Sequence, residues 1–120
     1  MASLSNFRYG SVWIISFDPS VATEIRKTRP GVIVSGTPFN EKRSKVTVLP
    51  FTSSQPNDPR ISPAVVSVSS TEVNGLWVDS LLVCIEPMTF DKRRLNKYLG
   101  QLESEYLQQM QAVVKRYLRL

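Results

Sequence analysis

The sequence predicts an α+β domain, in which a small and strongly bent antiparallel β-sheet is followed by helices. Two observations support this fold class. Between residues 10 and 86, short runs of β-branched and aromatic residues alternate with turn residues such as Gly, Pro and Asn. Beyond Asp91 these signals nearly stop, and apolar residues recur at spacings of three and four. A length of 120 residues suits one domain, which we place at residues 1–120.

The first two strands are bracketed by turn residues. The first strand begins after Gly10 and ends at Asp18-Pro19, and its side chains alternate with a period of two. The polar residues 19–30 predict a long connection. The stretch GVIVSG (31–36) predicts a second strand between two glycines.

Two loops flank the third strand. The stretch TPFNEKRSK (37–45) predicts a basic loop, and VTVLPFTSS (46–54) predicts the strand. Pro50 lies within this strand and indicates a sheet edge or a bulge, because proline has no N–H to donate. Residues 55–63 contain three prolines and predict another loop.

The last two strands surround an Asn-Gly turn. AVVSVSS (64–70) predicts the fourth strand, 72–80 contains the turn, and LLVCIE (81–86) predicts the fifth strand. Cys84 lies inside that apolar run, so we expect a small buried side chain and not a nucleophile.

The remaining residues predict two helices. The stretch DKRRLNKYLG predicts a short helix with Asp91 as N-cap and Gly100 as C-cap. Residues 101–118 predict a longer helix with a single apolar stripe. The stripe consists of Leu102, Tyr106, Met110, Val113 and Tyr117. The helix carries charges of both signs, so its apolar stripe indicates packing in the core or in a dimer more than membrane binding.

The composition narrows the possible functions. The formal net charge of +5 and the sequence pI of about 9.7 favour an anionic partner such as nucleic acid. The chain has no histidine, which is the commonest general acid-base residue and metal ligand, so we expect neither a metal site nor a cofactor. No apolar run approaches the roughly 18 residues that a membrane span needs. The first ten residues show no apolar signal core, so we expect a cytoplasmic protein.

The order and spacing of several blocks resemble the MazF/PemK (Kid) family of type II toxin–antitoxin endoribonucleases. The resemblance covers about residues 9–100. The matching blocks are YGSVWIISFDPS (9–20), TEIRKTRPGVIVS (23–35), VTVLPFTSS (46–54), Asp79-Ser80 before a strand, and DKRRL (91–95).

The resemblance implies both a fold and a function. The implied fold is a compact antiparallel β-barrel of the MazF/CcdB/Kid type, with a short helix and a C-terminal helix. The implied activity is that of an mRNA interferase, which cleaves single-stranded RNA at specific sequences without a metal. The implied assembly is a homodimer that is restrained by a MazE-like antitoxin, whose disordered acidic tail wraps the toxin.

The resemblance also assigns roles to particular residues. The arginine of the family's Arg-Pro pair falls on Arg29, and the threonine that ends the third strand falls on Thr52. The family uses these two positions for catalysis. The preceding loop, which helps to hold RNA, maps to Thr23 and Glu24. Some plasmid relatives have a histidine where Thr23 stands, and some have an arginine and an aspartate where Val83 and Ile85 stand. The arginine and threonine pair is therefore the set that we transfer.

The chemistry of RNA cleavage fits these residue types. The 2′-hydroxyl is a built-in nucleophile, and its attack gives a 2′,3′-cyclic phosphate. Arg29 presents a planar fork to two phosphate oxygens and suits stabilisation of the dianionic phosphorane. Thr52 supplies a short, stiff hydroxyl that can donate to a phosphate oxygen.

Other nearby side chains suit supporting roles. Ser53 offers a second hydroxyl, and Arg26 and Lys27 suit contacts with neighbouring phosphates. Glu24 is the carboxylate nearby in sequence, so it is the candidate for a base or for reading a base edge. In the absence of histidine, the sequence does not assign the general acid.

Simpler interpretations and other functions stay open at this point. Arg29 would also fit a salt bridge to Glu24, and Arg26 and Lys27 would fit a solvated loop. Trp77 can stack on a base or pack, whereas Trp13 is expected in the core. The fold also fits a CcdB-like toxin that poisons gyrase without catalysis, or a silent barrel that only binds an antitoxin or DNA.

Overall fold

The computed structural model describes residues 6–17, 28–53 and 62–120. Within these ranges the chain forms one antiparallel sheet and two α-helices, which confirms the predicted α+β class. The strands are β1 (Ser11–Ser16), β2 (Thr28–Ile33), β3 (Lys45–Thr52), β4 (Val65–Val68), β5 (Ser80–Val83), β6 (Met88–Asp91) and β7 (Leu95–Gln101). The helices are α1 (Thr37–Lys42) and α2 (Ser104–Leu118), and 3-10 turns cover Ser62–Ala64 and Lys92–Arg94.

The sheet has the order β4-β5-β3-β2-β1-β7, and β6 also pairs with β3. β3 therefore has β2 on one side, while β6 and β5 share its other side. β6 pairs with Lys45–Val48, and β5 pairs with Phe51 and Thr52. Pro50 lies between these two pairings, opposite Gly31 of β2. The strand is central, so the expected sheet edge at Pro50 is wrong. The proline instead lies between the segment of β3 that pairs with β6 and the segment that pairs with β5. No described strand pairs with it on that side, so the missing N–H is tolerated.

Alternating side chains of the sheet divide the core into two clusters, as the period of two requires. Val12 and Val32 point into the first cluster, and Trp13 and Ile33 point into the second. The first cluster lies under α2. Its other buried members are Leu49, Phe51, Val66, Val68, Leu76, Leu82, Cys84, Leu102, Leu107 and Met110. The second cluster also contains Ile15, Val46, Val48 and Leu95.

Cys84 is fully buried in the first cluster, as the sequence predicted, and its thiol is free. Its Sγ lies 3.5 Å from the carbonyl oxygen of Leu82. Burial raises the pKa of this thiol from 9.0 to about 12, because a thiolate would lose its hydration there. The side chain therefore acts as a small apolar group and not as a nucleophile.

The expected loop at residues 37–45 is largely the short helix α1. Pro38 lies in its first turn, where the missing N–H costs nothing. Asn40 is 1% exposed and donates its amide to the carbonyl oxygens of Phe7 and Ser35, both at 3.0 Å. The helix is too short to show a helical period in the sequence, so tertiary hydrogen bonds and not periodicity determine it.

The expected helix at residues 91–100 is also wrong. Asp91 ends β6, and the chain passes through the 3-10 turn into β7, which pairs with β1. Asp91 does act as a cap, because its carboxylate accepts the backbone N–H of Arg93 at 2.9 Å. This bond and the Arg93 side chain lower the pKa of Asp91.

Gly100 serves close packing in β7 and not a helix cap. A Cβ added to Gly100 would lie 2.2 Å from the carbonyl oxygen of Val73. The backbones of β7 and of the turn before β5 can approach each other because this side chain is missing. The glycine that suggested a helix end in the sequence therefore marks a contact between distant segments.

The predicted long helix is confirmed as α2. Leu102 is buried just before it, and Met110 is buried within it. Tyr106 and Val113 pack on the first cluster, whereas Tyr117 is 51% exposed and lies outside the buried stripe. In the part of the chain that the structure describes, no helix is long and apolar enough to cross a membrane.

Candidate functional site

An open cavity of about 340 Å³ lies where β2 begins and β3 ends. Because β2 and β3 are antiparallel, the start of one strand meets the end of the other. The turn before β5 forms the opposite wall. The lining residues are Arg29, Pro30, Phe51, Thr52, Ser53, Leu76, Trp77, Val78 and Ser80. The volume lies in the range of about 300–1,000 Å³ that is typical of small-molecule sites.

The register of the sheet brings Arg29 and Thr52 to this cavity. The pairing of β2 with β3 ends at Gly31 and Pro50, and Arg29 and Thr52 lie just beyond this pair, each two residues further along its strand. Residues two apart on a strand share a face, so both side chains lie on the same side of the sheet. β2 begins at Thr28, so the last three residues of the connection predicted for residues 19–30, Arg29 among them, are strand residues.

One aromatic ring lies over the guanidinium of Arg29. Its Cζ lies 5.7 Å from the ring centroid of Phe17, within the range of a cation–π contact. Phe17 packs edge-on against Phe90 at 5.5 Å, and the Cζ of Arg94 lies 4.5 Å from the Phe90 ring. Two arginines thus flank one aromatic pair. The Arg29 side chain is exposed, so its charge faces solvent and any ligand in the cavity.

Thr52 and Ser53 bring two hydroxyl groups to the same cavity. Thr52 is half-buried, and Ser53 is exposed. Both hydroxyls can donate to, or accept from, a polar ligand. A permanent cation and two hydroxyl donors in one cleft form an arrangement that suits a phosphate group.

Four of the residues expected to hold RNA lie outside the described residues. These are Thr23, Glu24, Arg26 and Lys27. Three expected site residues, Arg29, Thr52 and Ser53, line one cavity. Among residues 6–17, 28–53 and 62–120, no group of three or more His, Cys, Asp or Glu side chains is placed to hold a metal ion.

Sequence reasoning missed the aromatic and basic surroundings of Arg29. From the sequence alone, neither Phe17 nor Arg94 received a role in the site. The signal for Arg94 was the basic run of residues 92–94, which the sequence predicted to lie inside a helix. Nothing in the sequence links that run to Arg29, because the link passes through the contact of Phe17 with Phe90.

The turn that forms the far wall is held by a buried hydrogen-bond network. Asn74 is fully buried, and its Nδ2 donates to Glu103 Oε1 at 3.0 Å and to the Ser69 carbonyl oxygen at 2.9 Å. Its Oδ1 accepts the backbone N–H groups of Thr71 and Leu76. The Asn-Gly pair therefore forms a turn, as the sequence predicted, and the Glu103 carboxylate at the start of α2 holds this turn in place.

Comparison with known proteins supports the fold and indicates the family. Residues 8–118 match the family described as PemK-like, MazF-like toxin of type II toxin–antitoxin system. The chain is 30% identical over 89 residues to endoribonuclease PemK of Escherichia coli, an alignment that spans 74% of this chain and 64% of that protein.

Solved structures share the fold at low sequence identity. MazF (Form-I) from Deinococcus radiodurans gives a TM-score of 0.75 at 18% identity and covers 94% of this chain and 96% of its own. An endoribonuclease from a mycobacterial species, solved with its cognate antitoxin, gives 0.74 at 18% identity and covers 94% and 95%. The family match extends over nearly the whole chain, so the protein belongs to the PemK-like, MazF-like toxins of type II toxin–antitoxin systems.

Proposed function

We propose that this protein is a sequence-specific endoribonuclease that cleaves single-stranded RNA. The observation that supports this best is the meeting of Arg29 with Thr52 and Ser53 in one open cavity. The relative from Escherichia coli carries the name endoribonuclease, which agrees with the proposal. The net charge of +5 favours an anionic substrate.

In the proposed reaction, the 2′-hydroxyl of the nucleotide before the scissile bond attacks the adjacent phosphorus. Its oxygen gives its proton to a base and forms a new P–O bond. The bond between phosphorus and the 5′-oxygen of the next nucleotide breaks, this oxygen takes up a proton, and a 2′,3′-cyclic phosphate remains. Arg29 binds the phosphate oxygens, whose negative charge grows in the transition state. Thr52 donates a hydrogen bond to one of these oxygens, and Ser53 assists.

The aromatic pair next to Arg29 supports this role. Phe17 limits the directions in which the guanidinium can point, which reduces the entropy lost when a phosphate binds. Glu24 remains the candidate for the general base or for a base-edge contact, and Arg26 and Lys27 for contacts with flanking phosphates. All three lie outside the described residues.

We further propose that cleavage needs no metal ion or other cofactor. RNA supplies its own nucleophile, so no water has to be activated. The test incubates purified protein with a long RNA in EDTA and analyses the new ends. We expect cleavage with 2′,3′-cyclic phosphate ends. Loss of activity in EDTA that magnesium restores would overturn metal independence.

The same experiment separates this activity from the other functions that the fold permits. Intact RNA under all conditions would favour a CcdB-like toxin or a silent barrel. A gyrase assay in which added protein traps cleaved DNA would then distinguish these two. Neither alternative depends on Arg29 or Thr52.

We propose that the toxin acts in the cytoplasm as a homodimer and is restrained by a MazE-like antitoxin. The end of α2 supports dimer formation, because Tyr117, Leu118 and Leu120 expose about half or more of their surface. Closed two-fold pairing is the commonest way to cover such a surface. Light scattering at micromolar concentration tests it, and a monomer would contradict the proposal.

A further inference from the structure

Among the described residues, Trp77 is the aromatic side chain with the largest exposed fraction. It is 72% exposed and lines the same cavity as Arg29 and Thr52. The other tryptophan, Trp13, is 7% exposed, and its Nε1 donates to Ser11 and to the carbonyl oxygen of Asn6. An exposed aromatic face beside a cationic site suits a ligand that combines a flat ring with a negative charge.

The backbone that carries Trp77 is fixed before any ligand arrives. Gly75 adopts φ +74°, and a Cβ there would lie 2.2 Å from the carbonyl oxygen of Leu99. Leu76, directly before Trp77, is buried in the core, and its N–H bonds to the buried Asn74. The tryptophan therefore extends from an anchored turn, and little backbone entropy is lost when a ligand packs against it.

We propose that Trp77 is the platform on which the base next to the bound phosphate stacks. The two walls of the cavity match the two halves of a nucleotide: Arg29 and the hydroxyls face the phosphate, and the indole faces the base. Every nucleobase has a π-face, so a tryptophan contributes affinity with little sequence preference. The inference rests on the proposed RNA substrate and adds a binding contact that the cleavage chemistry does not require.

An RNA ligand fits this surface better than an apolar protein surface does. Val78, beside Trp77, is 56% exposed, so an apolar partner would find some further contact there. The permanent charge of Arg29 on the facing wall, however, would remain uncompensated against an apolar protein surface. A phosphate next to a flat base satisfies both walls at once.

The test uses a single-stranded oligonucleotide of about twelve 2′-O-methyl nucleotides, which binds but cannot be cut because the 2′-hydroxyl is blocked. We expect the wild type to lose tryptophan fluorescence on binding, since Trp77 stacks. The Trp77→Phe variant, which retains only Trp13, should show no such quenching. Trp77→Ala should bind the oligonucleotide about tenfold more weakly, and Trp77→Phe should fall between the two.

Two controls separate stacking from other effects. Phe39 is 68% exposed and does not line the cavity, so Phe39→Ala should leave the affinity unchanged. An oligonucleotide of the same length without bases retains the phosphates but offers nothing to stack. We expect the wild type and Trp77→Ala to bind it equally well.

The outcomes also separate this inference from the proposed function. Stacking would be overturned if Trp77→Ala bound the oligonucleotide with wild-type affinity, or if it lost as much affinity for the oligonucleotide without bases. The proposal that the protein cleaves natural RNA would not be affected. Quenching by the oligonucleotide without cleavage of natural RNA would confirm stacking and overturn the nuclease. Failure of the wild type to bind the oligonucleotide would overturn stacking, and the cleavage assay with natural RNA in EDTA would still decide the nuclease.

Discussion

Arg29 owes its position to two separate constraints. The strand register brings the start of β2, where Arg29 lies, close to the end of β3, and the ring of Phe17 lies near its guanidinium. A lysine retains the charge but loses the planar fork that binds two phosphate oxygens. We expect Arg29→Lys to lower kcat/KM for RNA by about tenfold or more, and Arg29→Ala to lower it further.

Circular dichroism is the control for both variants, since an exposed side chain at a strand end should not be needed for folding. Cleavage by Arg29→Ala at the wild-type rate would show that the phosphate binds elsewhere.

Thr52 tests the role of the hydroxyl group. Valine has nearly the same shape but cannot donate a hydrogen bond, and serine retains the hydroxyl on a smaller side chain. Hydrogen bonds to charged groups contribute about 1.5–3 kcal/mol, so we expect Thr52→Val to lower kcat/KM by roughly tenfold to a hundredfold. Thr52→Ser should recover most of the activity. Equal rates for the two variants would assign Thr52 a packing role only.

At the scale of single residues, the sequence predicted the charged and hydroxyl groups of the site but not their surroundings. Arg29, Thr52 and Ser53 belong to short blocks that can be recognised in the chain. The contact of Phe17 with Phe90 joins residues more than 70 positions apart. No local pattern encodes such a contact, because it depends on how β1 and β6 approach each other in space.

At the scale of elements, strands were predicted well where alternation was strong. β1, β3 and β4 appear close to their expected ranges. β7 was mistaken for a helix, because its residues LNKYLG have no strict alternation and follow an Asp that caps a turn. Pairing with β1 decides its structure, and tertiary contacts of this kind routinely override local preference.

Gly100 offers a direct test of the strand assignment. An alanine Cβ at this position would lie 2.2 Å from the carbonyl oxygen of Val73, and backbone has little freedom to move away. We expect Gly100→Ala to reduce the free energy of unfolding by about 2 kcal/mol or more. Chemical denaturation monitored by circular dichroism measures the change.

Gly36 is the matched control, because the nearest atom to its added Cβ is a Phe39 side-chain carbon at 3.4 Å, an ordinary contact. Gly36→Ala should change the free energy of unfolding by less than about 1 kcal/mol. A similarly small change in Gly100→Ala would contradict the close approach of β7 to the turn.

At the scale of the whole molecule, the positive net charge of the protein determines how an acidic antitoxin is expected to bind. An acidic antitoxin segment that competes for Arg29 should bind more weakly as salt rises, since part of the attraction is between exposed charges. Binding should persist at high salt, because apolar anchors do not depend on ionic strength. Calorimetric titration at low and high salt, with RNA as competitor, measures both effects. Simultaneous binding of antitoxin and RNA with continued cleavage would contradict a shared groove.

The order of β1 to β5 and of α2 could be predicted, whereas α1, β6, β7 and the neighbours of each strand could not. The change from alternating to helical periodicity near residue 91 indicated the α+β class correctly, although it placed the first helix wrongly. The sheet order β4-β5-β3-β2-β1-β7 depends on long-range pairing. The central position of β3 was hidden by Pro50, whose missing N–H suggested an edge.

The pKa of Cys84 links stability to pH at the alkaline end. The folded thiol has a pKa of about 12, above its ordinary value of 9.0, so folding disfavours the thiolate. The stability that depends on a neutral thiol is therefore complete below about pH 9 and is lost as the pH rises towards 12. Denaturation curves between these values should show falling stability, and Cys84→Ala should show a smaller fall.

The chain has a single cysteine, and the fold keeps it out of water. The reactivity of this thiol therefore measures how often the folded protein opens. A thiol reagent can mark a molecule only while the core between the sheet and α2 is open. We expect labelling to be orders of magnitude slower in the folded protein than in denaturant. Any ligand that binds only the folded state should slow it further, in proportion to the ligand's occupancy. Labelling kinetics would thus report antitoxin or RNA binding without a dye, a tag or a cleavage assay.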